Sequence, residues 1–122
     1  MTALAGKRVL VLEDEWLIAT EIGRALAGEG AVVVGPVADL ATALAHAEEP
    51  LDAATLDVAL DGAMSFPVAD RLAERRVPYV FVTGYDGWTF PARHRAAPRI
   101  TKPCSGAEVV EALGALVSGP PR

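Results

Sequence analysis

The chain has 122 residues, of which 52% are hydrophobic and 22% charged, and its 16 acidic and 11 basic residues give a formal net charge of −5. This length predicts one domain over residues 1–122, and no apolar run approaches the roughly 18 residues that a membrane span needs. The negative charge disfavours nucleic-acid partners, and we expect no membrane partner. Without a secretory leader pattern we expect a cytoplasmic protein.

The first half of the chain predicts two strands and two helices. Residues 7–12 form an apolar run without alternation, which is typical of a strand buried on both faces of a parallel sheet. Apolar residues recur at helical spacing over 15–27, and glycines then end the helix. A β-branched run at 31–34 predicts a second strand that closes at a Gly35-Pro36 turn, and Asp39 can cap a second helix.

The middle of the chain continues this alternation. Residues 53–56 predict a third strand, which delivers Asp57 at its end. Ser65 is a plausible N-cap for a third helix that runs to about Arg75. Residues 78–82 predict the fourth strand, with a proline at its start, where a missing N–H is tolerated.

The last third of the chain completes the pattern. Residues 91–94 predict only a short helix, because glycines and a proline interrupt the segment around it. Residues 99–101 predict a brief fifth strand, and a stripe of apolar residues predicts a final helix over 105–117. Five strands alternating with helices imply right-handed crossovers, and therefore a doubly wound α/β fold with helices on both faces of a parallel sheet.

Four of these strands run into polar or charged residues, at Glu13-Asp14, Asp57, Thr83 and Lys102. In an open parallel sheet such residues gather at the carboxyl edge, where ligands bind. Carboxylates crowded there repel one another and partly protonate unless a divalent cation lies between them. A hard ion such as Mg²⁺ suits this set, with further ligands from a backbone carbonyl and a phosphoryl oxygen. One cysteine and two histidines, in contrast, offer no zinc-type ligand set.

The same strand ends predict phosphoryl transfer. Asp57 can accept a phosphoryl group and form an aspartyl phosphate. Lys102 supplies a fixed positive charge and Thr83 a hydroxyl donor, and both can stabilise the charge on the group in transfer.

Over essentially its whole length, the chain resembles the receiver domains of two-component response regulators. The motifs fall in that family's order and spacing: the acidic pair Glu13-Asp14, the phosphoacceptor Asp57, the hydroxyl residue Thr83 and the pair Lys102-Pro103. The resemblance implies a flavodoxin-like sheet of order 2-1-3-4-5 and a cis Lys102-Pro103 peptide. It also implies that Asp14, Asp57 and the backbone carbonyl of Ala59 bind Mg²⁺ directly, while Glu13 acts mainly through water.

The resemblance also implies a function. A histidine kinase donates a phosphoryl group to Asp57 in a Mg²⁺-dependent reaction, so the protein is a signalling domain that catalyses at most its own phosphorylation and dephosphorylation. Since no output domain follows, we expect the signal to pass by protein contact or onward phosphotransfer to an unknown downstream partner. A phosphorylation-independent interaction module is one alternative. An aspartyl-phosphate phosphohydrolase is a weaker one, because Ala59 stands where that chemistry needs a second acid.

Two residues depart from the usual receiver pattern. Arg99 stands three residues before the lysine, where the family's switch aromatic is usual. The run Phe81 to Tyr85 instead resembles a receiver subgroup with an F-x-T-G-Y signature that also lacks this aromatic, which makes Tyr85 the nearest aromatic candidate for signalling. Ala59 replaces a side chain that influences the lifetime of the phosphoryl group in many receivers.

Other features also have structural interpretations. Asp14 could cap the first helix instead of binding a metal. Trp16 and Trp88 are predicted to be partly buried packing residues, with partner docking as the alternative. The basic cluster at residues 93–99, which includes His94, is predicted to be a solvated face.

Overall fold

The computed structural model describes residues 2–84 and 90–118. Its elements in chain order are β1 (Arg8–Leu12), α1 (Trp16–Gly28), β2 (Val32–Val37), α2 (Leu40–His46), β3 (Ala53–Asp57), β4 (Ala59–Leu60), β5 (Ala63–Met64), α3 (Phe66–Glu74), β6 (Tyr79–Thr83), a short 3-10 helix (Ala92–His94), β7 (Arg99–Thr101) and α4 (Gly106–Ser118).

The central sheet has five parallel strands in the order β2-β1-β3-β6-β7, and β4 with β5 forms a separate antiparallel hairpin. Numbered without the hairpin, this order is 2-1-3-4-5, so the predicted doubly wound, flavodoxin-like fold is confirmed. None of the helices within the described ranges has both the length and the apolar character needed to cross a membrane.

A hydrophobic cluster covers each face of the sheet. Along β1, Val9 and Val11 pack with residues of α1 and α4, whereas Leu10 and Leu12 pack with residues of α2 and α3. Successive side chains of a strand point to opposite faces, so a strand covered on both sides is apolar at every position. This explains the unbroken apolar run at 7–12 and confirms the buried strand predicted there.

The second strand is longer than predicted. The prediction that it closes at Gly35-Pro36 is wrong, because β2 continues to Val37 with a shift in its register against β1. Gly35 has a φ of +102°, and a Cβ added there would lie 2.7 Å from the Val37 nitrogen, so the bulge requires glycine. The extension lets the Val37 carbonyl accept a hydrogen bond from the Glu13 N–H at 2.9 Å, which fixes the start of the acidic loop.

The predicted helix caps have mixed outcomes. Asp39 caps α2 as predicted, since its Oδ1 accepts a hydrogen bond from the Thr42 N–H at 2.8 Å. Ser65 does occupy the N-cap position of α3, but its backbone is helical and its buried hydroxyl makes no hydrogen bond among the described residues. Glu15, and not Asp14, occupies the N-cap position of α1, so the capping alternative for Asp14 is wrong.

Candidate functional site

The predicted site residues lie at the carboxyl edge of the sheet. Asp57 ends β3 and Thr83 ends β6, and these two strands are neighbours. Glu13 directly follows β1, and Lys102 directly follows β7. Glu13, Asp57 and Thr83 are buried, with 3%, 6% and 3% of their surfaces exposed. The fold thus places groups from four strands at one edge, as the sequence predicts.

Three carboxylates surround the ammonium group of Lys102. Its Nζ lies 3.0 Å from Glu13 Oε1, 3.0 Å from Glu15 Oε1 and 3.5 Å from Asp57 Oδ2. The backbone holds the lysine in place as well, because its N–H donates a hydrogen bond to the Thr83 carbonyl at 2.7 Å. The Lys102–Pro103 peptide is cis, in agreement with the prediction.

Asp57 lies in a place that disfavours its charged form. Burial raises the pKa of Asp57 to about 8, and the hydrogen bond and negative charge of Glu13 act in the same direction, while the charge of Lys102 opposes them. Burial alone would lower the pKa of Lys102, but hydrogen bonds to Glu15 and Glu13 and the charge of Asp57 raise that pKa above its usual range. The lysine therefore stays protonated. The acidic side chains around it carry more negative charge than one ammonium group neutralises, so they can also bind a second cation.

Four carboxylates can present oxygens to one cation. Oxygen atoms of Glu13, Asp14, Glu15 and Asp57 lie within 4.8 Å of one another. A donor set made of oxygens suits a hard ion such as Mg²⁺. The buried Glu13 Oε1 makes an ion pair but no hydrogen bond within the described residues, so it retains capacity for a further donor. These residues fit a divalent cation, which confirms the predicted acidic cluster.

An open cleft of about 600 Å³ leads to these groups. It is lined by Asp14, Glu15, Asp57, Ala59, Leu60, Asp61, Gly84 and Lys102. Ala59 lies in the short hairpin that follows β3, which brings this residue to the cleft. A Cβ added to Gly84 would lie 3.8 Å from the side chain of Lys102, so glycine leaves a methyl-sized space beside the lysine. The cleft has room for a small anion at the Asp57 carboxylate.

Glu15 is a site residue that the sequence pattern did not single out. It was predicted as the first residue of a helix over 15–27, whereas its carboxylate in fact reaches Lys102. The available signal was the run of three acids, Glu13, Asp14 and Glu15, directly after a strand. Spacing alone did not show that the third acid faces a lysine 87 residues away.

Comparison with known proteins identifies the family. No protein-family model and no curated protein matches the chain. Among solved structures, SdrG from Sphingomonas melonis Fr1 is 41% identical with a TM-score of 0.79, over 96% of this chain and 99% of that chain. SdrG in its BeF3-activated conformation, from Pseudomonas melonis Fr1, is 40% identical with a TM-score of 0.75, over 93% and 98%.

The receiver domain of the sensor histidine kinase PA1611 from Pseudomonas aeruginosa PAO1, with a magnesium ion coordinated in its active-site cleft, is 25% identical with a TM-score of 0.80. That alignment covers 94% of this chain and 100% of that chain. The chain belongs to the response regulator receiver domains. Its relatives support a phosphoacceptor signalling role for this receiver domain.

Two side chains of the receiver domain lie elsewhere than predicted. Trp16 is 75% exposed, so partial burial is wrong, because the buried face of α1 begins only at Ala19. His94 is 2% exposed, so the prediction that the basic cluster lies on a solvated face is wrong for this residue. Its ring nitrogens lie 2.8 Å from the Tyr79 hydroxyl and 2.7 Å from Asp70 Oδ1, which satisfies both of them inside the protein.

Some predictions concern parts of the receiver domain outside the described residues. Tyr85 and Trp88 lie there. The F-x-T-G-Y subgroup and a signalling role for Tyr85 therefore stay predictions.

Proposed function

We propose that Asp57 receives a phosphoryl group from a histidine kinase in a Mg²⁺-dependent reaction, in a single cytoplasmic receiver domain formed by residues 1–122. The observation that supports this most directly is the position of Lys102 Nζ, 3.5 Å from the Asp57 carboxylate at the floor of an open acidic cleft. The phosphorylated domain then signals by protein contact or by onward phosphotransfer.

The transfer makes one bond and breaks one. An ionised carboxylate oxygen of Asp57 attacks phosphorus, the bond between phosphorus and the donor nitrogen breaks, and its electron pair leaves with the imidazole of the kinase histidine. Negative charge lies on the phosphoryl oxygens throughout this step. The Lys102 ammonium group would offset that charge, and the Thr83 hydroxyl would donate a hydrogen bond to one of the oxygens.

The acidic cluster supplies the proposed metal site. A magnesium ion lies in the active-site cleft of the PA1611 receiver domain, and we propose the same ion for this cleft. Asp14, Asp57 and the backbone carbonyl of Ala59 would hold it directly, and Glu13 would act mainly through water. When bound, the ion favours the ionised form of Asp57 and offsets charge on the phosphoryl oxygens.

The test is phosphorylation of the full chain by phosphoramidate, a small donor with a P–N bond like that of phosphohistidine. With Mg²⁺ present, intact-protein mass spectrometry should show one added phosphoryl group on the wild type and none on Asp57→Asn or after chelation of the metal. Asp61→Asn, which removes an exposed acid from the same cleft, should still be labelled. A wild type that stays unmodified while folded and Mg²⁺-bound would refute the proposal.

A further inference from the structure

The hydrogen bonds of Lys102 go to acids other than the proposed phosphoacceptor. Nζ donates to Glu13 Oε2 at 3.3 Å and to Glu15 Oε1 at 3.0 Å. Asp57 Oδ2, at 3.5 Å, is the most distant of its three carboxylate partners. An ammonium group has three N–H donors, so two of them are committed before any phosphoryl group arrives.

The two acids that hold Lys102 differ in how easily they can leave it. The Glu13 side chain is 1% exposed, and its Oε2 also accepts a hydrogen bond from the Glu15 N–H at 3.2 Å. The Glu15 side chain is 60% exposed and reaches the lysine from the open side of the cleft. Separating a buried acid from its cation leaves an uncompensated charge, whereas an exposed acid exchanges its partner for water at little cost. Glu15 is therefore the exchangeable partner.

We propose that Glu15 is a positioning residue that holds Lys102 in the unphosphorylated domain and yields it to the phosphoryl group on Asp57. This inference rests on the proposed function of Asp57. A phosphoryl group brings added negative charge and strong acceptor oxygens next to Nζ, and ammonium groups form their strongest hydrogen bonds with such acceptors. Glu15 competes with that group for the lysine, so it shifts the balance towards the unphosphorylated state.

The experiment measures binding of beryllofluoride, a phosphoryl mimic, to the Mg²⁺-loaded protein by calorimetry. Glu15→Gln should bind this anion about two- to fivefold more tightly than the wild type, the range that one partly exposed ion pair allows. Asp61→Asn is the matched control, because it removes one charge from the same cleft and Asp61 has no ion pair with Lys102 among the described residues. Its binding should tighten distinctly less.

The salt dependence of beryllofluoride binding is a second measurement. A purely structural role of Glu15 would not change it. Salt screens an exposed ion pair, so the difference between wild type and Glu15→Gln should shrink as salt is added. Equal tightening by Glu15→Gln and Asp61→Asn would overturn the inference, because the effect would then be general repulsion of anions. Unchanged or weaker binding by a folded Glu15→Gln would overturn it too.

Failure here is distinguishable from failure of the proposed function. If phosphoramidate labels the wild type on Asp57 while Glu15→Gln binds beryllofluoride no more tightly, only the role of Glu15 falls. If the wild type is never labelled, the proposed function itself falls. Far-ultraviolet circular dichroism and urea unfolding of Glu15→Gln establish that the variant is folded before either conclusion is drawn.

Discussion

The guanidinium group of Arg99 lies over the ring of Phe90, with its Cζ 3.9 Å from the ring centroid. Arg99 begins β7, and its Nη2 also donates a hydrogen bond to the Arg95 carbonyl at 3.0 Å. Phe90 is 3% exposed and packs edge-on against Phe66 and Phe81. The residue that stands in place of the usual switch aromatic therefore joins β7 to a buried aromatic cluster.

Replacing Arg99 tests this contact. Arg99→Ala should lower the free energy of unfolding by about 0.5–1 kcal/mol, because it removes a cation–π contact at an exposed site. Arg99→Lys keeps the charge without the planar group and should fall between that variant and the wild type. The control is Arg24→Ala, which removes an exposed α1 arginine that has no ion pair among the described residues and should change stability by less than about 0.5 kcal/mol. Equal urea-unfolding curves for the two alanine variants would contradict the expectation.

Tyr79→Phe should reveal the cost of breaking the buried polar chain around His94. In the neutral imidazole, Nε2 donates a hydrogen bond to the Asp70 carboxylate, which can only accept, so Nδ1 accepts one from the Tyr79 hydroxyl. Without that hydroxyl, Nδ1 is left buried and unpaired, and stability should fall by about 1–3 kcal/mol in urea unfolding.

A double-mutant cycle separates this effect from ordinary packing. In His94→Leu the acceptor is gone, so adding Tyr79→Phe should cost less than it does in the wild type. We expect a coupling energy of about 1 kcal/mol between the two positions. Additive losses would mean that the hydrogen bond contributes nothing beyond the contacts of the two rings.

Mg²⁺ binding should depend on pH through Asp57. In the metal-free protein, burial above all raises the pKa of this carboxyl from 3.8 to about 8. Mg²⁺ binds the ionised carboxylate of Asp57. The apparent affinity for Mg²⁺ should therefore rise with pH, by up to about tenfold per pH unit, and level off above about pH 8. Calorimetric titrations at several pH values check this, and Asp57→Asn should abolish the dependence. A flat profile in the wild type would contradict the burial argument.

The same shift affects stability without metal. The pKa of Asp57 is higher in the folded protein than in the unfolded chain. Its stabilising contribution to the free energy of unfolding is therefore fully present below about pH 3.8 and is lost as pH rises through about 8. Removing Mg²⁺ with a chelator should therefore lower the melting temperature more at pH 8 than at pH 6. Asp57→Asn, which has no charge to accommodate, should show little difference between the two pH values.

Two glycines of α4 should respond in opposite directions to the same substitution. A Cβ on Gly106 would lie 2.7 Å from Ala25 Cβ and 3.0 Å from the Glu21 carbonyl oxygen, so Gly106→Ala must push α1 and α4 apart. We expect it to cost about 1–3 kcal/mol. Among the described residues, no atom outside the backbone of its own helix lies within 4 Å of a Cβ added to Gly114, so Gly114→Ala should stabilise the helix by about 0.5–1 kcal/mol. Thermal unfolding compares them, and a loss in both variants would contradict the packing argument.

The sequence determined the strands of the central sheet, except for the end of β2, and the location of the site. Apolar runs such as residues 7–12 and 78–82 predict buried parallel strands, and the ends of such strands meet at one edge whatever the details of packing. Asp57, Thr83 and Lys102 could therefore be assigned to one place from local pattern alone. These predictions succeeded because the period of a strand and the polarity of its end are local properties.

Only the tertiary structure decided which partners these groups have. Glu15 and Lys102 are 87 residues apart, and their contact depends on how α1 begins beside the end of β7. The burial of His94 depends in the same way on Tyr79 and Asp70, which lie in two other elements. Hydrogen bonds and ion pairs need distances of about 3 Å, and spacing along the chain does not fix such distances between separate elements. The sequence thus located the chemistry, and the folded arrangement decided which acid holds the lysine.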